Sequence, residues 1–341
     1  MMVMDTLVCI KPGQFEYKQS NQPISEKGHS VLEIKRIGVC GTDLHAFEGT
    51  QPYFEYPRIL GHELAAIIHE TGSESGFKKG EPVTIIPYFN CGHCIACTQG
   101  KPNCCVHMQV CGVHVDGAMR NYLSVPDYSL VKGEGLGFEE LALIEPLAIG
   151  AHSIQRAAIR KDEYVLVIGA GPIGLGIMEF ARIAGAKVIA ADINPQRLSF
   201  CKEKLKISHT INTLAENTSE RLKEITNDDM PTVIIDATGN LKAINSGFAY
   251  MAHGARYILV GLQKENISFS HPEFHKREGE LKSSRNATRD DFEHVMNCMK
   301  KGLVNPSTYI THSLSFGDVK DSFPSLLDPA TGVIKAMIAM N

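Results

Sequence analysis

VLVIGAGPIG, residues 165–174, runs a short apolar stretch straight into glycines at 169, 171 and 174. A G-x-G-x-x-G that follows a buried strand and opens a helix has a physical reading. Gly169 permits the tight turn, Gly171 lets backbone approach a pyrophosphate, and Gly174 lets the helix pack closely on the strand. The N-terminus of that helix offers free N–H groups and positive dipole to phosphate. Three glycines alone also suit a turn that binds nothing. The context favours the ligand, because KVIAAD (187–192) ends a second strand on Asp192. An acid there accepts hydrogen bonds from the ribose hydroxyls and repels a 2′-phosphate, which points to NAD rather than NADP.

Outward from this stretch, strand-like and helix-like runs alternate through TVIIDATG and RYILVG, the rhythm of a parallel sheet covered by helices. The helical period begins near EPLAIGAHSIQRAAI (145–159). Before it, the chain is rich in Gly, Pro and short β-branched runs with frequent turn residues, which reads as a compact all-β domain. After about Ser284 come an amphipathic segment, RDDFEHVMNCMKKG, and a last strand, VIKAMIAM.

With 341 residues the chain has room for two domains and a large core, so it needs no staples to fold. Its 34 basic and 38 acidic residues give a net charge of −4, too weak a field for nucleic acid or an anionic membrane. No apolar run approaches the ~20 residues of a membrane span, and MMVMDTLVCI lacks the basic start of a signal peptide. The expected location is the cytoplasm, where ten cysteines stay reduced.

Their distribution points to metal. CGHCIACTQGKPNCC (91–105) places Cys91, Cys94, Cys97 and Cys105 at the spacing of a closed thiolate zinc site, with Cys104 as an alternative fourth ligand. Cys9, Cys201 and Cys298 read as small buried hydrophobes. A second, open site needs mixed ligands. Cys40 in GVCGTDLH and His62 in LGHEL are candidates, with Glu63 or Glu145 as a further ligand. Asp43 is placed to accept the second imidazole N–H of His62. Thr42 and His45 offer a hydroxyl–imidazole path for a proton. His69, His209 and His253 read as core histidines.

In these motifs (GVCGTDLH, GHE, the four-Cys lobe, EPLAIGAH, GAGPIG with Asp192, DATGN) the chain resembles the zinc-dependent medium-chain dehydrogenases/reductases over essentially its whole length. QPYFEYPRILGHE and HPEFHKREGELKSSRNAT tilt the resemblance towards dehydrogenases of L-galactonate, L-gulonate and L-idonate type. It implies a GroES-like β-barrel catalytic domain over 1–147, completed by 284–341. An inserted Rossmann NAD-binding domain, a doubly wound parallel sheet, occupies 148–283. It further implies a catalytic zinc at Cys40, His62 and Glu63 or Glu145, a structural zinc at the four-Cys lobe, and proton relay through Thr42 and His45. NAD contacts fall at Ile173, Asp192, Arg197, Val260, Gly261, Leu262, Ser284 and Arg285. The implied partners are a small-molecule alcohol or sugar acid and further copies of the chain, as a homodimer or homotetramer. Arg285 and Lys276 are candidates to receive a substrate carboxylate. Ala46 stands where sorbitol dehydrogenases often carry Tyr, which weakens sorbitol as substrate. The alternatives are a neutral polyol or threonine dehydrogenase, a zinc ribbon for nucleic acid, and an NAD sensor without catalysis.

Overall fold

The computed structural model describes residues 3–52, 54–72 and 76–340. Met1, Met2 and, within QPYFEYPRILGHE, Tyr53 lie outside the described residues. The chain forms two compact units, one of Met1–Glu145 with Thr288–Asn341 and one of Pro146–Ala287.

In the second unit, strands Tyr164–Ile168, Lys187–Asp192, His209–Asn212, Val233–Asp236, Arg256–Leu259 and Glu280–Ser283 form one all-parallel sheet. Numbered from first to last along the chain, their spatial order is 3-2-1-4-5-6, the doubly wound dinucleotide arrangement. The central strands are buried on both faces, which explains their unbroken apolar sequence: Val165, Leu166, Val167, Ile234 and Ile235 are all inaccessible to solvent. Burying each such side chain contributes about 1.5–3 kcal/mol. Gly169 sits at φ +101°, in the left-handed region, and a Cβ on Gly174 would lie 1.8 Å from the carbonyl oxygen of Gly169. The helix Pro172–Ile183 therefore starts directly against the end of the first strand.

In the first unit, His29–Val39, Glu63–Glu70, Pro82–Ile85, Tyr122–Pro126, Leu130–Lys132, Ile310–Ser315 and Lys335–Ala339 make a seven-stranded sheet, antiparallel except for the pair formed by the last two. Lys335–Ala339 pairs with His29–Val39, so the C-terminal segment completes the N-terminal domain. Its core gathers Leu7, Leu32, Ile37, Leu64, Ile68 and Phe323 with others. Asn121 is a structural residue there: its side-chain oxygen accepts from Asp5 N–H at 2.8 Å and ties down the first strand. Cys9, Cys201 and Cys298 are buried, as read from sequence. His253 is exposed and does not belong to the core; it lies in the turn before strand Arg256–Leu259.

Candidate active site and metal centres

Cys40 closes the strand His29–Val39 and caps the helix Gly41–Glu48. His62 precedes the strand Glu63–Glu70. Pairing between these strands sets Glu63 opposite Gly38, and so brings the two motifs together. The ligand atoms of Cys40, His62 and Glu63 lie within 4.8 Å of one another.

The surroundings are negative. Burial alone would lower the pKa of His62, but the Cys40 thiol, Asp43 and Glu145 together hold it well above the ordinary histidine value. Glu145 is pushed up chiefly by burial, with the charge of Glu63 adding to the effect and His62 opposing it. One half-buried thiol, one buried imidazole and one buried carboxylate in negative surroundings match the donor set and sign that a zinc ion needs.

Asp43 does not take the role expected of it. Its carboxylate is 3.9 Å from His62 Nδ1, beyond hydrogen-bond range, and that nitrogen is buried without a hydrogen-bond partner. Asp43 accepts instead from the backbone N–H of Cys40 at 2.9 Å and of Gly61 at 3.2 Å. One buried carboxylate thereby ties together the two segments that carry Cys40 and His62.

Glu63 and Glu145 are distinguished by their partners. Glu63 is fully buried, and both its oxygens accept from Lys335 Nζ at 2.7 Å. Lys335 also donates to the Val39 carbonyl at 3.1 Å. Glu145 accepts from the phenol of Tyr88 and lies outside the close cluster. Sequence reasoning missed both Lys335 and Tyr88, although a lysine inside VIKAMIAM was a legible oddity. Removing the lysine charge (Lys335→Met) leaves Glu63 buried without its counter-ion. This is expected to destabilise metal-free protein by about 3–5 kcal/mol. The loss should be smaller after zinc loading; urea unfolding of both forms measures it.

Thr42 and His45 share the helix Gly41–Glu48, Thr42 half-buried and His45 exposed, spaced i,i+3 on one face. A hydroxyl nearer the interior thus precedes an imidazole at the surface.

The lobe gathers four thiols. Sγ–Sγ distances are 3.5 Å for Cys94–Cys97, 3.8 Å for Cys94–Cys105 and 3.5 Å for Cys91–Cys105. Zinc–sulfur bonds of 2.3 Å in a tetrahedron require edges of about 3.8 Å. Backbone N–H groups of Cys91, Val106 and His107 point at the sulfurs, as suits thiolates. The pKa of Cys94 falls to about 6, mainly through the N–H of Cys97 and then that of Val106, while burial pushes Cys105 up to about 11 against the N–H groups of Cys91 and His107. Cys105 completes the set; Cys104 is exposed and outside it.

In the second unit the dinucleotide candidates collect at the C-terminal ends of the parallel strands. A Cβ on Gly171 would meet nothing nearer than Arg197 Nη1 at 3.9 Å, so the fold itself does not demand glycine here. Closely approaching phosphate does. Asp192 accepts from the N–H of Ala170 at 2.6 Å and of Asn194 at 2.7 Å, which fixes its carboxylate beside the glycine turn. Next to it a cavity of about 200 Å³ is lined by Ile168, Ala191, Ile193, Thr213 and Leu214 among others, apolar walls suited to a purine. Asp236, unremarked in sequence beyond its motif, accepts from Thr238 N–H at 3.0 Å and Gly239 N–H at 2.9 Å. Its carbonyl takes the N–H groups of Val260 and Gly261. It thus staples the two loops that carry DATGN and Val260–Leu262. Leu262 is exposed, and Ser284 is buried with its hydroxyl unpartnered. Ile173 and Arg285 also fall at this edge, in the first turn of the helix after the first strand and just after the last strand.

Lys276 is not at this edge. It ends the helix His271–Lys276, which precedes the strand Glu280–Ser283, so it lies at the N-terminal edge of the sheet. Its neighbour there is Glu273 at 3.9 Å. A strand of ~3.3 Å per residue separates it from Ser284 and Arg285, which removes it as a partner of Arg285 for one carboxylate.

Comparisons with known proteins agree with this anatomy. The family described as zinc-binding dehydrogenase matches residues 172–301, and the alcohol dehydrogenase GroES-like domain matches residues 26–135. L-galactonate-5-dehydrogenase of Escherichia coli K12 is 40% identical over 324 residues, covering 95% of each chain. Sorbitol dehydrogenase of Bacillus subtilis 168 is 30% identical over 336 residues, covering 96% of this chain and 95% of that one. An alcohol dehydrogenase of E. coli CFT073, solved in complex with NADH, superposes with a TM-score of 0.91 at 31% identity, covering 99% of each chain. The chain belongs to the zinc-dependent medium-chain dehydrogenase/reductase family, with a GroES-like domain and a Rossmann domain.

Proposed function

We propose that the protein oxidises a secondary hydroxyl of an L-galactonate-like sugar acid with NAD. The observation that carries the chemistry is the cluster of Cys40, His62 and Glu63, the last two buried and the thiol half-buried. The substrate class rests on the 40% identical L-galactonate-5-dehydrogenase.

In this reading Cys40, His62 and Glu63 hold zinc, and Glu145, anchored by Tyr88, stays close without being one of the trio. When bound there, zinc supplies Lewis acidity that lowers the pKa of a hydroxyl. Thr42 accepts the substrate proton as it gives up its own towards His45, which passes a proton to solvent. Lys335 offsets the charge of Glu63, which limits the negative charge the ligand set presents. NAD, when bound at Gly169–Gly174, serves as hydride acceptor. Asp192 selects it by its ribose, with Ile173, Arg197, Val260, Gly261, Leu262, Ser284 and Arg285 as further contacts. Replacing Asp192 with Ser is expected to raise KM for NAD about tenfold or more, narrow the preference over NADP, and leave zinc content unchanged. Steady-state kinetics with both cofactors check this.

Arg285 is the candidate for the substrate carboxylate. Absorbance at the NADH band tests the substrate class, with L-galactonate, L-idonate, sorbitol and threonine compared on metal-replete protein. The highest kcat/KM is expected on L-galactonate. A rate on sorbitol equal to or above it would transfer the assignment to neutral polyols, the reading that the 30% identical sorbitol dehydrogenase favours less strongly.

A homo-oligomer is proposed on the strand Glu280–Ser283, which forms one edge of the six-stranded sheet and leaves Leu281 42% exposed. Light scattering would show the assembly. Among the described residues no helix is long and apolar enough to cross a membrane. The cytoplasm is proposed because the zinc-site thiols need a reducing compartment.

A further inference from the structure

The helix His271–Lys276 carries two histidines that neither zinc centre nor the dinucleotide site uses. His271 and His275 are spaced i,i+4, so they share one helix face. Their ring centroids are 5.9 Å apart. Two imidazoles on one tetrahedral cation, with metal–nitrogen bonds of 2.0–2.1 Å, place their centroids about 5.2 Å apart. A small side-chain rotation spans the difference, and both residues are exposed and have room to make it.

The cavity they line offers a third donor, whose carboxylate must rotate to reach them. Glu278 lines the same cavity of about 480 Å³ as His271 and His275, over a floor made by Phe269 and Phe274. Its backbone is held in place: Glu278 N–H donates to the His275 carbonyl at 2.9 Å, at φ +48°. The turn it occupies is fixed by neighbouring bonds, Gly254 N–H to the Arg277 carbonyl at 2.7 Å and Arg277 Nε to the Met251 carbonyl at 3.0 Å. Under the helix, Phe274 packs against Phe269 at 5.0 Å and Phe248 at 6.0 Å between centroids. These contacts hold the backbone, and the exposed donors close on an ion by side-chain rotation.

We propose that His271, His275 and Glu278 form a third metal site, for a divalent transition cation such as zinc or nickel. It lies at the N-terminal edge of the Rossmann sheet, away from the dinucleotide loops at the opposite edge. Two imidazoles and one carboxylate are donors for Zn²⁺, Ni²⁺ or Cu²⁺, and disfavour Mg²⁺ and Ca²⁺, which seek all-oxygen sites. The remaining positions on the cation are filled by water. The site is weaker than the two zinc centres because it is exposed and its donors must move to close on the ion.

Calorimetric titration of Ni²⁺ into protein that holds only the two zinc ions of the thiolate-containing centres tests it. One binding event per chain is expected in the wild type. His271→Ala and His275→Ala should each weaken it about tenfold or more, and Glu278→Gln should weaken it less. None of the three substitutions should change zinc content or NADH production, which also shows that the variants are folded. Mg²⁺ should give no event. Absence of the event in the wild type, or an event that persists unchanged in either histidine variant, overturns the proposal.

Discussion

His62→Ala and Cys40→Ser are each expected to cut turnover about 10³-fold or more and to leave one zinc ion per chain in place of two. A Lewis acid at the reacting oxygen is worth several kcal/mol, and each 1.36 kcal/mol is a factor of ten in rate. Both ligands come from segments fixed by the sheet and by Asp43, so neither is replaced by a shifting loop. The fold should survive either change. Glu63 keeps Lys335 as its counter-ion whatever happens at position 62, and Asp43 keeps its two backbone N–H donors. NADH binding should persist, because Asp192 and the glycine turn belong to the other compact unit. Fluorescence of bound NADH, elemental analysis and steady-state rates separate these outcomes. Glu63→Gln should be more damaging than Glu145→Gln, since Glu63 alone shares the cluster with Cys40 and His62. The reverse order would make Glu145 the ligand.

Cys94→Ser is expected to remove the other zinc ion and to unfold its lobe, while lowering kcat far less than His62→Ala does. The part of the lobe around Cys94 has little else to hold it. The short helix Ile95–Thr98 buries no residue, and Ile95 and Val106 are 66% and 67% exposed. Structural zinc sites in small domains contribute about 10–16 kcal/mol of apparent binding energy, much of which becomes folding energy. A lobe of this construction should therefore melt locally once its thiolates cannot close on a cation. Limited proteolysis across residues 91–110 should show faster cleavage in Cys94→Ser and in chelator-treated wild type. Cys104→Ser should behave as the wild type, because Cys104 is exposed and takes no part in the cluster.

These expectations draw unequally on sequence and structure. The glycine turn, Asp192 and the four cysteines were legible because each motif is local: strand, turn, helix and acid follow within 30 residues, and the thiols within 15. Cys40 and His62 were legible as types, but their meeting depends on strand pairing. The choice between Glu63 and Glu145 was not legible, since both are acids set beside apolar residues and only tertiary contacts distinguish them. Lys335 lies 272 residues from the carboxylate it neutralises, and no local pattern announces such a pair. Asp43 was assigned to the imidazole of His62, whereas it serves backbone N–H groups that helix and loop ends leave open. Lys276 was misplaced for a simple reason. It is close in sequence to Ser284, but a parallel strand runs between them and carries the two to opposite edges of the sheet.

The most direct test is NADH formation from L-galactonate by protein stripped with a chelator and then reloaded stepwise with zinc. The account expects almost no NADH from stripped protein, and activity that rises in step with occupancy of the centre at Cys40, His62 and Glu63. Full activity in protein that retains no zinc at that centre would contradict it.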